Sequence, residues 1–328
     1  MNDKMNKEPR ISIIIPSYNW ASLKYQNKHL IDICLNALKK TMYKNYNIII
    51  TDDNSNDNTI NYLTTNYLHE KQSNIILIKN KRNGGFCKNS NSGIKYAIKK
   101  LNPKYMVLFN DDILIKDIYW LSKMVKIAEK NNKIGAIGCK LLYPNFRIQS
   151  TEYNVNSVPR YIGRSEIDKG QYNYIRQTTG VNGALMFLRK EAVEKIGLLD
   201  ENYYMGFDDA DYSIRLRKAG YKLIYDGKIE AIHMESASTT KEISDKRFYL
   251  VQVGYIYFAF KHLNKFQIVN AIIHELAGAI FTIDKENKKR GIKNIRLRKK
   301  VLWRFIISIK AIKEGYKLYK INKSWKNA

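Results

Sequence analysis

Cysteine is scarce in this chain of 328 residues, and long apolar runs are missing. The three cysteines, Cys34, Cys87 and Cys139, have no CxxC spacing, which excludes a zinc knuckle and a disulfide framework and favours a reducing compartment. No stretch contains the roughly 18 uncharged apolar residues that a membrane-spanning helix needs, so we expect no transmembrane segment. The polar start, MNDKMNKEPR, offers no apolar core for a signal peptide, and we therefore expect a cytoplasmic protein.

Acidic residues are also in short supply. The chain has 30 Asp and Glu against 57 Lys and Arg, a net charge of +27. With 45% hydrophobic and 27% charged residues it is nevertheless of globular composition, which excludes a disordered or collagen-like chain. Residues 285–328 contain 16 basic and two acidic residues, so more than half of the net charge lies in the last 44 positions.

Short apolar runs rich in β-branched residues alternate with amphipathic segments from residue 11 to about 145. The runs cover 11–16, 46–51, 74–80, 105–110 and 134–142, and the amphipathic segments lie near 28–42, 58–68, 87–101 and 117–131. This rhythm predicts an α/β fold, Rossmann-like, with a mostly parallel sheet flanked by helices. Further on we predict a long loop over 145–178, strands over 183–189, 222–225 and 229–233, and helices over 190–196 and 208–219.

Polar and acidic residues directly follow three of the predicted strands. They are Ser17-Tyr18-Asn19, Asp52-Asp53 and Asn110-Asp111-Asp112. Ligands of such sheets bind beyond the carboxyl ends of the strands, so we expect the site there. Neither GxGxxG nor GxxxxGK[ST] follows the first strand, which means that a phosphate must be held in another way. Oxygen ligands from residues 110–112 suit Mg²⁺ or Mn²⁺, although the same residue types also cap loops.

Two other groups of residues have both a chemical and a structural interpretation. The adjacent carboxylates Asp208 and Asp209 open a predicted helix, where like-charge repulsion can produce a general base, or where acids simply stabilise the helix dipole. His233 at the end of a strand is either a metal ligand or a hydrogen-bonded structural residue. The sequence alone leaves these alternatives open.

Five segments follow one another in a characteristic order over residues 10–240. They are ISIIIPSYN, TDDNSNDNT, NGGFCKNSNSGIKYA, LFNDDI and the long stretch from GVNGALMFLRK through YMGFDDADYSIRLRKAG to IEAIHMESAS. In this order they resemble the motifs of the family 2 glycosyltransferases of GT-A fold, in particular the rhamnosyltransferase-like branch. Each segment alone would be a weak signal.

The resemblance implies roles for individual residues. A nucleotide-sugar donor site is implied at Pro16, Ser17, Tyr18, Asn19, Asp52, Asn83, Gly85, Phe86, Asn91, Asn110, Asp111 and Gly183. Asp112 and His233 are the implied ligands of Mn²⁺ or Mg²⁺. Asp208 and Asp209 match a Glu-Asp pair whose second member is the implied catalytic base. The chain departs from the family pattern at Asn110, which replaces the first Asp of a DxD element, and at Asp208, which replaces Glu.

The implied activity is inverting, metal-dependent transfer of a hexosyl or rhamnosyl group from a nucleoside diphosphate, with UDP or dTDP favoured. The implied acceptor is a glycan or lipid-linked glycan of cell-surface polysaccharide biosynthesis. We expect a catalytic domain over 1–240 and a basic, amphipathic helical region over 241–328.

Three questions remain open at this level. The basic tail either lies on an anionic membrane surface or packs on the core. Because Asn110 replaces an Asp of the DxD element, a protein that binds a nucleotide sugar without catalysing its transfer is an alternative. The charge and 24 tyrosines suggest a nucleic-acid-binding protein, which the absence of RRM, KH or helix-turn-helix motifs disfavours.

Overall fold

The computed structural model describes residues 8–68, 74–234, 245–290 and 296–326. The strands are β1 (Ile11–Ser17), β2 (Lys24–Tyr25), β3 (Lys28–His29), β4 (Tyr46–Asp52), β5 (Ile75–Lys79), β6 (Tyr105–Phe109), β7 (Ile113–Ile115), β8 (Ile134–Leu142), β9 (Ile148–Ser150), β10 (Tyr153–Asn154), β11 (Arg160–Tyr161), β12 (Ile175–Thr178), β13 (Leu185–Arg189) and β14 (Lys222–His233). The helices are α1 (Leu30–Lys39), α2 (Thr59–Tyr67), α3 (Phe86–Tyr96), α4 (Trp120–Glu129), α5 (Lys190–Ile196), α6 (Asp208–Lys218), α7 (Asp245–His262), α8 (Lys265–Arg290) and α9 (Arg296–Lys326).

A ten-stranded sheet forms the centre of the fold, in the order β12-β14-β8-β13-β6-β1-β4-β5, with β7 and β9 added beside β14 and β8. Six of its strands, β1, β4, β5, β6, β8 and β14, run in one direction. The α/β prediction with a mostly parallel sheet is therefore confirmed. Strand β13 enters antiparallel between β6 and β8, because it follows an excursion of the chain rather than a crossover helix.

Two apolar layers cover the sheet because side chains alternate between its faces along each strand. Ile11, Ile13 and Ile15 of β1 point into one layer, which contains α1, α2 and α4. Ile14 points into the other, together with buried residues of α3, α5, α6 and α7. Packing on both faces fixes the sheet, so that the carboxyl ends of its parallel strands lie together at one edge.

The segment predicted as a long loop, 145–178, is more ordered than expected. It contains β9, β10, β11 and β12, and the fully buried Lys140 of β8 ties it to the sheet through an ion pair with Asp168 and a hydrogen bond to Asn173, both at 2.6 Å. The two strands predicted over 222–233 form one strand, β14, with an irregularity between Asp226 and Glu230. The short strands β9 to β12 were not predicted because the segment that contains them is mainly polar.

The C-terminal helices pack on the α/β unit. Tyr257 and Phe258 of α7 are fully buried in the same layer as α6, and Gly315 lets α9 approach Ile256 closely. The predicted boundary at 240 lies outside the described residues, as do 291–295 and 327–328 of the basic tail. Of the helices described, none is long and apolar enough to cross a bilayer.

Candidate active site

A cleft of about 490 Å³ opens at the carboxyl ends of β1, β4 and β6. Most of the residues predicted for the site line it: Pro16, Ser17, Tyr18, Asn83, Gly85, Phe86, Asn110, Asp111, Gly183, Asp208, Asp209 and His233. They come from turns that are far apart in sequence. The parallel strands bring these turns together because their carboxyl ends meet at one edge of the sheet.

Asn19 and Asp52 do not line the cleft, and their hydrogen bonds shape the turns after β1 and β4. The Asn19 backbone N–H donates to Ser55 Oγ at 2.8 Å, and the Asn56 N–H donates to Asn19 Oδ1 at 3.0 Å. Asp52 is buried and accepts hydrogen bonds from the Ser55 hydroxyl and backbone N–H. These two residues hold the turns in place rather than line the cleft.

Asp53 is the acidic residue of this turn that lines the cleft. Its carboxylate accepts the backbone N–H groups of Gly84 and Gly85 at 2.8–3.0 Å. Similarly, Asn89 lines the cleft, whereas the predicted Asn91 does not line it and donates to the Leu199 carbonyl at 3.0 Å. The position of a residue along its strand or helix determines whether its side chain faces the cleft. The sequence motif alone did not distinguish Asp53 from Asp52, or Asn89 from Asn91.

The predicted metal ligands are adjacent. His233 Nε2 lies 3.0 Å from Asp112 Oδ1, and Asn110 Nδ2 lies 3.5 Å from the same nitrogen. Among the residues described, Asp112 Oδ1 and Asn110 Oδ1 are buried polar atoms without a hydrogen-bond partner. The spacing is that of two neighbouring ligands around an octahedral cation, which are about 3.0 Å apart for bonds of about 2.1 Å. Asp112 and His233 therefore fit a divalent cation.

Over the described ranges, no group of three or more His, Cys, Asp and Glu side chains converges as a metal site. The two side chains would supply only part of a coordination sphere. Mg²⁺ and similar hard cations are often held by one or two protein groups together with substrate phosphates, so the small ligand set suits a cation that binds with a diphosphate.

The pair Asp208 and Asp209 begins α6 at the wall of the cleft. Asp209 is 8% exposed, and its Oδ2 accepts the Gly183 N–H at 3.0 Å while its Oδ1 accepts the Ala210 N–H at 2.8 Å. Burial and the neighbouring charge of Asp209 raise the pKa of Asp208 to about 8. Burial also raises the pKa of Asp209, against hydrogen bonds that favour its charged form.

Several residues that line the cleft or support it were not predicted. They belong to the 145–178 segment, which was predicted to be a loop. Tyr161 donates its hydroxyl to Asp209 Oδ2 at 3.2 Å and stacks on Tyr153. Gln149 Oε1 lies 2.8 Å from His233 Nδ1, and Arg164 also lines the cleft. Only the interspersed tyrosines of this segment were a signal in the sequence.

The sequence profile of glycosyl transferase family 2 matches residues 12–197, more than half of the chain, which therefore belongs to that family. The O-antigen biosynthesis protein RfbC of Myxococcus xanthus is 25% identical over 240 residues, which cover 70% of this chain and 18% of that protein. The UDP-Glc:alpha-D-GlcNAc-diphosphoundecaprenol beta-1,3-glucosyltransferase of Escherichia coli is 25% identical over 198 residues, 60% of this chain and 67% of that enzyme. The chain thus spans less than a fifth of the first relative's length.

A solved structure shows the same fold. The mannosyltransferase PcManGT of Pyrobaculum calidifontis, in complex with GDP-Man and Mn²⁺, superposes with a TM-score of 0.54 at 16% identity. The match covers 98% of this chain and 81% of that one. The predictions of family 2 membership and of a GT-A-like fold with a C-terminal helical extension are confirmed.

Proposed function

We propose that this protein is an inverting, metal-dependent glycosyltransferase that moves a sugar from a nucleoside diphosphate to a hydroxyl of a glycan or lipid-linked glycan. The observation that carries the proposal is that Asp208, Asp209 and His233 line one cleft, with the buried Asp112 carboxylate 3.0 Å from the His233 ring. The Asp208–Asp209 pair suits proton abstraction from an acceptor, and the Asp112–His233 pair suits the diphosphate of a donor. Membership of glycosyl transferase family 2 favours sugar transfer as the reaction that uses these residues.

In this proposal the turns after β1, β4 and β5 bind the nucleotide. Pro16, Ser17, Tyr18, Asn83, Gly85 and Phe86 line that part of the cleft. Asp53 fastens the Gly84-Gly85 turn and replaces Asp52 as the carboxylate nearest the nucleotide, while Asn19, Asp52 and Asn91 support the turns. Asn110, Asp111 and Gly183 line the part of the cleft near the diphosphate and the sugar.

Asp209 is the proposed general base. Its two oxygens accept three hydrogen bonds, from Gly183, Tyr161 and Ala210, out of about four lone-pair positions of a carboxylate. One position remains for the acceptor hydroxyl, whose proton passes to Asp209 as its oxygen attacks the anomeric carbon and the bond to the diphosphate breaks. We place the proton of the acidic pair on Asp208, whose pKa is raised to about 8, so that Asp209 stays ionised.

Asp112 and His233 are the proposed holders of Mn²⁺ or Mg²⁺. When bound, the cation supplies charge neutralisation for the departing diphosphate. Asn110 stands beside them, with its Nδ2 3.5 Å from His233 Nε2, so replacement of the usual Asp puts a neutral amide next to the proposed cation site.

We further propose UDP or dTDP as the carrier and a hexosyl or rhamnosyl group as the sugar, transferred in cell-surface polysaccharide biosynthesis on the cytoplasmic side. Support comes from the relatives, whose names include O-antigen biosynthesis and transfer from UDP-Glc to a diphosphoundecaprenol-linked sugar. The similar solved structure holds GDP-Man, which makes GDP the carrier to be compared with these two.

A lipid-linked acceptor suggests a membrane surface, and we propose that the C-terminal helices contact one. Phe266, Val269 and Ile273 of α8 are spaced three and four apart and are 74%, 54% and 57% exposed. On α9, Ser308 and Ala311 are fully buried, so the packing interpretation of the tail holds for that face. Ile306, Ile309 and exposed lysines lie on another face of α9 and give the mixture of apolar and basic groups that binds anionic bilayers.

Vesicle flotation tests this contact. We expect the protein to float with phosphatidylglycerol-containing vesicles and less with phosphatidylcholine alone, and the triple change of Phe266, Val269 and Ile273 to Ser to abolish flotation. Matched Ser changes at Phe146, Ile167 and Ile175, which are exposed elsewhere, should leave flotation intact. Equal flotation of both triple variants would contradict the proposal.

The proposed activity is tested by release of nucleoside diphosphate from UDP-, dTDP- and GDP-sugars with Mn²⁺ and a polyprenyl-diphosphate-linked sugar as acceptor. Asp209→Asn should lose turnover and keep nucleotide binding, whereas Asp117→Asn, outside the cleft, should change neither. Near-wild-type turnover by Asp209→Asn would contradict the assignment of the base. Binding without turnover by the unaltered protein would instead identify a silent nucleotide-sugar binder.

A further inference from the structure

Gln149 makes a buried contact with His233 on the side of the ring away from Asp112. The Gln149 side chain is 3% exposed, and its Oε1 lies 2.8 Å from His233 Nδ1. On the other side of the ring, Nε2 lies 3.0 Å from Asp112 Oδ1. The two ring nitrogens therefore have different partners.

The identity of these partners determines where the ring proton lies. The Gln149 carbonyl oxygen is an acceptor only, so Nδ1 must donate to it. In the neutral ring Nε2 is then the nitrogen with the lone pair, in agreement with the Asn110 Nδ2 group that lies 3.5 Å away on that side.

The backbone places Gln149 at this point through an irregularity of the sheet. Ile148 pairs with Leu142 and Ser150 with Leu141, so Gln149 is an additional residue opposite two consecutive positions of β8. Such a bulge turns one side chain away from the regular alternation, and bulges of this kind occur next to active sites. Hydrogen bonds of the Ile148 backbone with Glu166 and Ser165, at 2.9 and 2.7 Å, hold β9 on its other side.

We propose that Gln149 is a positioning residue for the divalent cation, because it holds the proton of His233 on Nδ1 and so leaves Nε2, the ring nitrogen next to Asp112, with its lone pair for the cation. The inference rests on the proposed function, since it concerns the same cation. Without Gln149 the proton is free to move to Nε2, where it would form a hydrogen bond to Asp112 Oδ1. That hydrogen bond would engage both His233 Nε2 and Asp112 Oδ1, the two atoms that are proposed to bind the cation.

Nitrogen NMR of the histidine ring in the metal-free protein tests the first step without any activity. Long-range proton–nitrogen correlations distinguish a protonated nitrogen from one with a lone pair. We expect His233 to be protonated on Nδ1 in the unaltered protein and in Gln149→Glu, and on Nε2 in Gln149→Leu. An unaltered protein with the proton on Nε2 would overturn the proposal.

Titration with Mn²⁺ alone, and again with UDP present, tests the second step by the electron paramagnetic resonance of the free ion. Loss of the outer partner of a metal-binding histidine typically weakens metal affinity by about 10- to 100-fold, and we expect that loss for Gln149→Leu. Gln149→Glu keeps the acceptor oxygen and should bind as the unaltered protein does. Gln177→Leu, the same change at an exposed position of β12, is the matched control.

Three outcomes separate this inference from the proposed metal site. Loss of affinity in His233→Ala and Gln149→Leu, but not in Gln177→Leu, supports both. Loss in His233→Ala with unchanged affinity in Gln149→Leu overturns the role of Gln149 alone. Unchanged affinity in His233→Ala overturns the metal site and this inference with it. If Gln149→Leu does not fold, the ring tautomer of the unaltered protein and the affinity of Gln149→Glu decide.

Discussion

The hydroxyl of Tyr161 donates a hydrogen bond to Asp209 Oδ2 over 3.2 Å, although the two residues are 48 positions apart. Tyr161 comes from the excursion between β8 and β12, and so does Gln149, which contacts His233. One segment therefore supplies a polar partner both to the proposed base and to a proposed metal ligand. This arrangement makes the segment part of the site rather than a connection between strands.

Removing the Tyr161 hydroxyl should alter the pH dependence of turnover. The hydrogen bond favours the charged form of Asp209 and lowers its pKa, so Tyr161→Phe should raise that pKa. The acidic limb of the kcat profile should move to higher pH, and kcat at neutral pH should fall on the order of tenfold. Tyr174→Phe is the control, since its hydroxyl donates to Glu152 outside the cleft. Identical profiles for the two variants would contradict this role.

Adjacent glycines in the donor turn should respond differently to substitution by alanine. Gly85 has φ 82° and ψ 174°, a conformation available almost only to glycine, and an added Cβ would lie 3.2 Å from the Tyr204 ring. Gly85→Ala should therefore cost about 1 to 3 kcal/mol of unfolding free energy. At Gly84 the nearest obstacle is the flexible Lys88 side chain, so Gly84→Ala should cost less. Denaturant unfolding of both variants compares them, and equal losses would argue against strain at Gly85.

The raised pKa of Asp208 should appear in stability as a function of pH. Its pKa rises from 3.8 to about 8 on folding, because of burial and of the charges of Asp209 and Asp211. Between these values the folded state binds one proton more than the unfolded state, so stability should decline as pH rises from about 4 to about 8. In Asp208→Asn this part of the decline should be absent. Denaturant melts of both proteins across that range, without added metal, are the test, and parallel curves would disagree with it.

The C-terminal helices should contribute to the stability of α6. Lys261 of α7 forms ion pairs with Asp211 of α6 and with Asp200, at 2.6 and 2.5 Å, in a buried position. Lys261→Met leaves the buried Asp211 and the half-buried Asp200 with one cationic partner fewer, which should cost about 3 to 5 kcal/mol. The exposed pair of Lys123 with Asp117 has a similar distance, 2.6 Å, and Lys123→Met should cost less than about 1 kcal/mol. Equal unfolding midpoints for the two variants would contradict this account.

Strand ends were predictable from the sequence because apolar runs mark the strands and polar residues interrupt them. Pro16 to Tyr18, Asn110 and His233 consequently lie where the pattern predicts. The choice between neighbours was not predictable. Asp52 pairs with Ser17 as the last residue of β4 and does not line the cleft, whereas the equally buried Asp53 does.

Long-range placements could not be predicted either. Gln149 reaches His233 because of a bulge, and Tyr161 reaches Asp209 from a two-residue strand. Neither feature has a periodic pattern, since periodicity requires several residues of regular structure. The antiparallel entry of β13 is set by the same excursion, whose polar composition resembles that of a loop.

Calorimetric titration of UDP, dTDP and GDP into the protein, with Mn²⁺ and then with EDTA, tests the central claim most directly. We predict that at least one of the three binds in the presence of Mn²⁺, and that EDTA or Asp112→Ala removes most of the affinity. A folded protein that binds none of them, or that binds equally well in EDTA and as Asp112→Ala, would contradict a metal-dependent nucleotide-sugar site in this cleft.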